Sequence, residues 1–162
     1  LTYQRALFAL ENYGMEKYLP LLAEKLFSAV ENNSYAFTQQ YDPFTGAPSR
    51  VSSITKAPME PGSTDPFQDA YGPTVLSVLE YIAHIWGVHM HMGQIWFSLG
   101  SGEGYTYEQR IGGRSYRIES NGSEAHIFVD GRERMASPCG VRLITDREGR
   151  LLTTRRIEDL PE

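Results

Sequence analysis

The fold turns on residues 75–99, VLSVLEYIAHIWGVHMHMGQIWFSL, where the spacing of apolar side chains changes. Val75, Leu76, Val78, Leu79 and Ile82 recur at the three-to-four-residue interval of a helix face, and Gly87 supplies a stop. Beyond Gly87 the period drops to two. Met90, Met92 and Trp96 fall on one side of an expected strand and Ile95, Phe97 and Leu99 on the other, a strand buried on both faces. The chain therefore reads as a helical segment, 1–87, followed by an all-β segment, 88–162.

Towards the C-terminus, turn signals recur at Gly112-Gly113, Asn121-Gly122, Asp130-Gly131 and Glu148-Gly149. They separate short stretches, SYRIES, EAHIFVD and GVRLITD, at the spacing of an antiparallel sandwich. The GSGEG run at Gly100–Gly104 has no helix after it to hold a phosphate, and it reads as a hairpin loop. Ten of the 12 arginines lie in this half against 11 acidic residues, so its strands are expected to carry cross-strand ion pairs.

Towards the N-terminus, Leu7, Phe8 and Leu10 mark a helix over Tyr3–Tyr13 that Gly14 ends. A second helix runs from Met15 to Asn32, with Tyr18, Leu22, Leu26, Phe27 and Val30 at helical spacing, and the two make a helical hairpin. A long irregular segment, 33–66, rich in Pro, Ser and Thr, leads to a third helix that opens between Gln68 and Tyr71 and closes at Trp86. The chain enters its first helix at Leu1 without a leading loop, and it reads as a piece of a longer protein.

Composition narrows the function. The 162 residues carry 20 acids against 15 Lys and Arg, a net charge of -5, so neither nucleic acid nor an anionic membrane is the expected partner. No stretch reaches the roughly 18 apolar residues of a membrane helix. The single Cys139 leaves the redox compartment open and reads as a small buried residue. Neither Ser101 nor Ser137 sits in a nucleophile elbow. His89 and His91, two apart on a strand, face one side as metal ligands do, but Ile95 and Trp96 stand where a Glu ligand would follow, and no metal or other cofactor is expected. His84 and His126 read as surface or edge histidines.

The segment Tyr35–Pro48, YAFTQQYDPFTGAP, mixes aromatics with planar amides, as sugar-binding sites do: ring faces stack on aromatics while hydroxyls bond to amides and carboxylates. The run Gln39-Gln40-Tyr41-Asp42-Pro43-Phe44-Thr45-Gly46, after a helical hairpin and before a helix opening QDAYGPTVLSVLEYI, resembles the C-terminal end of the (α/α) six-hairpin barrel of inverting glycosidases. That clan holds trehalases, glycoside hydrolase family 63 enzymes and mannosylglycerate-hydrolase-like enzymes, and the resemblance covers Tyr3–Trp86.

The resemblance implies an α+β chain: three helices closing an (α/α) barrel, with an appended β-sandwich. It implies inverting hydrolysis of a glycosidic bond, with the general acid supplied from outside these residues. Gln39 stands where the family motif has its general-base Glu, and an amide cannot take a proton from water at neutral pH. Phe37, Gln40, Tyr41, Asp42 and Tyr71 are the implied substrate-binding residues. The Asp42 carboxylate itself reads as the cap of a turn. The implied partners are a carbohydrate and the rest of the barrel, supplied by upstream chain or another subunit. The alternative reading is a non-catalytic carbohydrate-binding or structural module.

Overall fold

A computed structural model describes residues 2–35, 37–42, 44–49, 51–52, 55–60 and 71–158. Pro43 of the motif and the expected opening of the third helix at Gln68 lie outside the described residues. Among the described residues three α-helices precede eight strands: α1 (Thr2–Asn12), α2 (Leu19–Asn32) and α3 (Gly72–Trp86). A 3-10 turn over Glu16–Tyr18 separates α1 from α2, so the expected helix from Met15 begins properly at Leu19. Pro20 then sits in the first turn, where its missing N–H costs nothing.

The strands are β1 (Val88–His91), β2 (Gln94–Leu99), β3 (Tyr105–Ile111), β4 (Arg114–Ser120), β5 (Glu124–Val129), β6 (Arg132–Pro138), β7 (Val141–Thr145) and β8 (Leu151–Arg156). They form two antiparallel four-stranded sheets, β1-β2-β7-β8 and β3-β4-β5-β6. All four expected turns fall between paired strands. At Gly112-Gly113 and Asp130-Gly131 both central residues have positive φ, as a two-residue hairpin turn requires.

Two expectations are corrected. The single strand expected after Gly87 is a hairpin: Met92 and Gly93 have φ of +47° and +81°, and His91 pairs with Gln94. The GSGEG run is not a hairpin loop, because β2 and β3 belong to different sheets and the run carries the chain from one sheet to the other. Gly100 opens this crossing, and a Cβ there would lie 2.3 Å from Nε1 of Trp86, so the close approach excludes a side chain.

The chain divides into two compact units: residues 1–6 with 21–80, and residues 7–20 with 81–162. In the second unit the two sheets enclose one core in the manner of a β-sandwich. Ile95, Phe97, Leu99 and Leu143 come from one sheet and Tyr116, Ile118, Ile127 and Val129 from the other. β2 is buried along almost its whole length, as its apolar residues Ile95, Trp96, Phe97 and Leu99 anticipate. Its second face, Trp96 and Ser98, meets a buried group of charged residues rather than oil.

The first unit is held by loop-to-helix hydrogen bonds. The Tyr71 N–H donates to the Phe37 carbonyl at 2.6 Å, and Thr74 Oγ1 donates to the Thr38 carbonyl at 2.7 Å. These bonds fix the segment before the motif against the start of α3. Asn33 Nδ2 donates to the carbonyls of Ala29 and Gly46, tying the end of α2 to the turn that follows.

Candidate functional site

Tyr41 and Pro48 pair as an isolated bridge that closes a turn. Asp42 Oδ1 accepts hydrogen bonds from the backbone N–H of Phe44 at 2.9 Å, the N–H of Thr45 at 2.8 Å and Thr45 Oγ1 at 3.0 Å. The Thr45 backbone bond, then that of Phe44, hold the Asp42 carboxyl below its ordinary pKa. Its carboxylate caps the turn. An ionised group so engaged is a poor base for water, whatever else the residue touches.

The turn and the segment before it form one side of a cleft of about 930 Å³ in the first unit. Gln39, Gln40, Tyr41, Asp42 and Tyr71 all line it. Phe37 is not among the lining residues; it contributes its carbonyl to the bond from Tyr71. Gln40 is held at its backbone, where its carbonyl accepts from the Ser49 N–H at 2.9 Å. Burial raises the Tyr41 phenol above its ordinary pKa, against a smaller opposing hydrogen bond at Thr38, so it stays a neutral donor.

Gln39 Oε1 is buried and takes no hydrogen bond from the described residues. Leaving such an acceptor unsatisfied costs about 1–3 kcal/mol.

Sequence reasoning missed the opposite lining. Glu24, Ser28 and Asn32 of α2 reach the cleft together with Tyr3 and Thr74. Polar residues at i, i+4 and i+8 of a helix whose other face is apolar were the signal available.

A second constellation lies in the other unit, on the outer face of β2. Arg142 is fully buried; its Nη2 lies 2.7 Å from Glu11 Oε1 and donates to the His84 carbonyl at 2.6 Å, while its Nε donates to Ser98 Oγ at 3.0 Å. Arg155 Nη1 donates to Glu16 Oε1 at 2.8 Å. Burial pulls the pKa of Arg142 down, and Glu11 and Glu16 oppose that pull. Both guanidinium groups lie 5.1 Å from the Trp96 ring centroid.

His84, read from sequence as a surface residue, is 5% exposed, and its Nδ1 donates to Glu11 Oε1 at 2.6 Å. His89 stacks on it with centroids 3.6 Å apart and planes 15° apart. Glu11, His84 and His89 thus bring three ligand-type atoms within 4.8 Å of one another. The arrangement does not suit a cation: near-parallel stacked rings point their in-plane lone pairs side by side, and Arg142 already occupies Glu11. His91 turns towards Trp96 on the same side of β1 as His89, with centroids 4.5 Å apart. The group is an ion-pair network.

Cys139 is buried, and burial raises its thiol pKa, which disfavours the reactive thiolate. His126 stands exposed on β5 beside Glu133, at 2.7 Å. Among the described residues no helix is long and apolar enough to cross a membrane. Comparison with known proteins finds no matching family model, no matching curated protein and no matching solved structure.

Proposed function

We propose that this chain is the C-terminal portion of an inverting glycoside hydrolase, with the cleft of the first unit forming part of its sugar site. One observation carries the reading: Gln39, whose buried Oε1 takes no hydrogen bond from the described residues, lines a cleft together with Tyr3, Tyr41 and Tyr71. An acceptor amide among aromatic rings is what a sugar ring with its hydroxyls requires. The partly uncovered apolar side chains of Leu21, Leu76 and Leu79, each at least half exposed, support further helices of a barrel as the chain's neighbours.

Gln39 orients a sugar hydroxyl or a water through its amide; the general acid and the base come from the rest of the barrel. The amide at this position also favours a second reading, a carbohydrate-binding module that holds glycan without cleaving it.

The test is titration of the chain with maltotriose, cellotriose and mannotriose, following the Gln39 side-chain amide by NMR. The expected result is a saturable shift of that resonance with the sugar left intact. A longer polypeptide carrying the remaining barrel should then hydrolyse the bound sugar with inversion at the anomeric carbon. Sugar binding without hydrolysis by that polypeptide selects the binding-module reading, and no shift with any of the three sugars overturns both.

A further inference from the structure

We infer that α2 forms the second wall of this cleft and makes it selective for a neutral, linear oligosaccharide, an inference that rests on the carbohydrate reading above. Glu24, Ser28 and Asn32 all line the cleft, and all are exposed. Residues four apart on a helix stand one above another, so these three make a continuous polar line about 12 Å long, the reach of a di- or trisaccharide. The line offers a carboxylate acceptor, a hydroxyl and an amide in succession, matching hydroxyl groups that both donate and accept.

Glu24 presents an exposed carboxylate to this cleft. The other lining carboxylate, Asp42, is engaged by its own turn through two N–H groups and a hydroxyl. The tip of that turn presents Phe44, 95% exposed, at the edge of the same cleft, where its ring face is available for stacking. A ring stacked on Phe44 carries the chain of sugars onto the polar line of α2.

Charge sets the class of sugar. Among the described lining residues two acids, Glu24 and Asp42, stand against one cation, Lys25. A uronate or sulfated glycan entering there meets net negative charge, whereas a neutral one gives Glu24 hydroxyl donors.

The experiment is calorimetric titration of the chain with the same three neutral trisaccharides and with trigalacturonic acid, on wild type and on the Glu24→Gln, Ser28→Ala and Gln39→Ala variants. Residues 24 and 28 are exposed, so folding is expected to persist, and a circular dichroism melt of each variant checks it. A neutral trisaccharide is expected to bind, with Glu24→Gln weakening it roughly tenfold and Ser28→Ala somewhat less. Trigalacturonic acid is expected to bind more weakly than the neutral sugar.

If Gln39→Ala weakens binding but Glu24→Gln and Ser28→Ala leave it unchanged, the α2 wall is overturned while the carbohydrate reading stands. Tighter binding of trigalacturonic acid overturns the neutral class. If no trisaccharide binds the wild type, the carbohydrate reading fails and takes this inference with it.

Discussion

His89 illustrates how one side chain answers to its whole surroundings. Burial is the largest force lowering its pKa well below the ordinary imidazole value, and the neighbouring His84, Arg142 and His91 add to it, against a smaller pull from the Ala83 backbone. A base held neutral in the folded state and free to charge in the unfolded chain binds fewer protons when folded. Stability therefore rises with pH across this window: it is complete above about pH 6.5 and falls as pH drops through that value towards the lowered folded pKa. Denaturant midpoints measured from pH 7.5 to pH 5 should decline, and the decline should be shallower in a His89→Gln variant; equal slopes would assign the pH dependence to other groups. The sequence shows that His89 and His91 share one side of a strand, and no more. His84 comes from a different element, and Glu11 is 73 positions before His84, a separation that periodicity cannot bridge. Gln39 lines the cleft beside a turn whose own residues specify its local geometry.

Turns show how the same physics repeats with different letters. Two successive turns, closed by the bridges Tyr41–Pro48 and Val51–Pro58, share one bonding pattern. Gly46 N–H donates to the Asp42 carbonyl and Lys56 N–H to that of Ser52, while Asp42 N–H donates to the Ala47 carbonyl and Ser52 N–H to that of Ala57. Thr45 and Thr55 each accept an N–H from the alanine two residues on, and each turn ends in an isolated bridge to proline. The ten-residue recurrence of Thr-x-Ala-Pro was legible in the sequence and went unread among the surrounding prolines and serines. Gly46 and Lys56 occupy the same left-handed corner, with φ of +70° and +59°. A Cβ at Gly46 meets nothing within 4 Å, so Gly46→Ala tests backbone conformation alone and should destabilise the first unit by about 1 kcal/mol. Lys56→Gly should go the other way, from no change to a gain of about 0.5 kcal/mol, because relieved strain is partly offset by glycine's greater unfolded-state entropy. Urea unfolding of both variants checks the opposite signs. The hairpin at Met92-Gly93 escaped for a related reason. Its two-residue turn leaves the alternation of apolar side chains nearly unbroken, so two short strands read as one.

On the scale of the molecule, the change in periodicity at Gly87 marks where helix gives way to strand, and the two compact units divide elsewhere, inside α1, near the start of α2 and inside α3. The reason is the outer face of the sheet β1-β2-β7-β8. Arg142 on β7 is fully buried there, and its acidic partners Glu11 and Glu16 come from residues 7–20, before any strand begins. The backbone adds to the same tie: the Ser98 N–H donates to the Gly87 carbonyl and the Gly100 N–H to that of Ile85. A polypeptide cut at the change of periodicity, residues 88–162, keeps every strand but loses Glu11, Glu16, His84 and both of those carbonyls. Arg142 and Arg155 would then stand beside His89 with no carboxylate from residues 7–20, and Trp96 would lose its cover. Such a fragment is expected to retain far-UV β signal while losing the near-UV signal of Trp96 and the cooperative melt of the full chain, with bound apolar dye reporting the opened face. A fragment melting as sharply as the full chain and within a few degrees of it would show that the sandwich core alone carries the second unit. Folding of the strands is expected to depend on residues 7–20 because a buried guanidinium is tolerable only where its carboxylates are delivered with it.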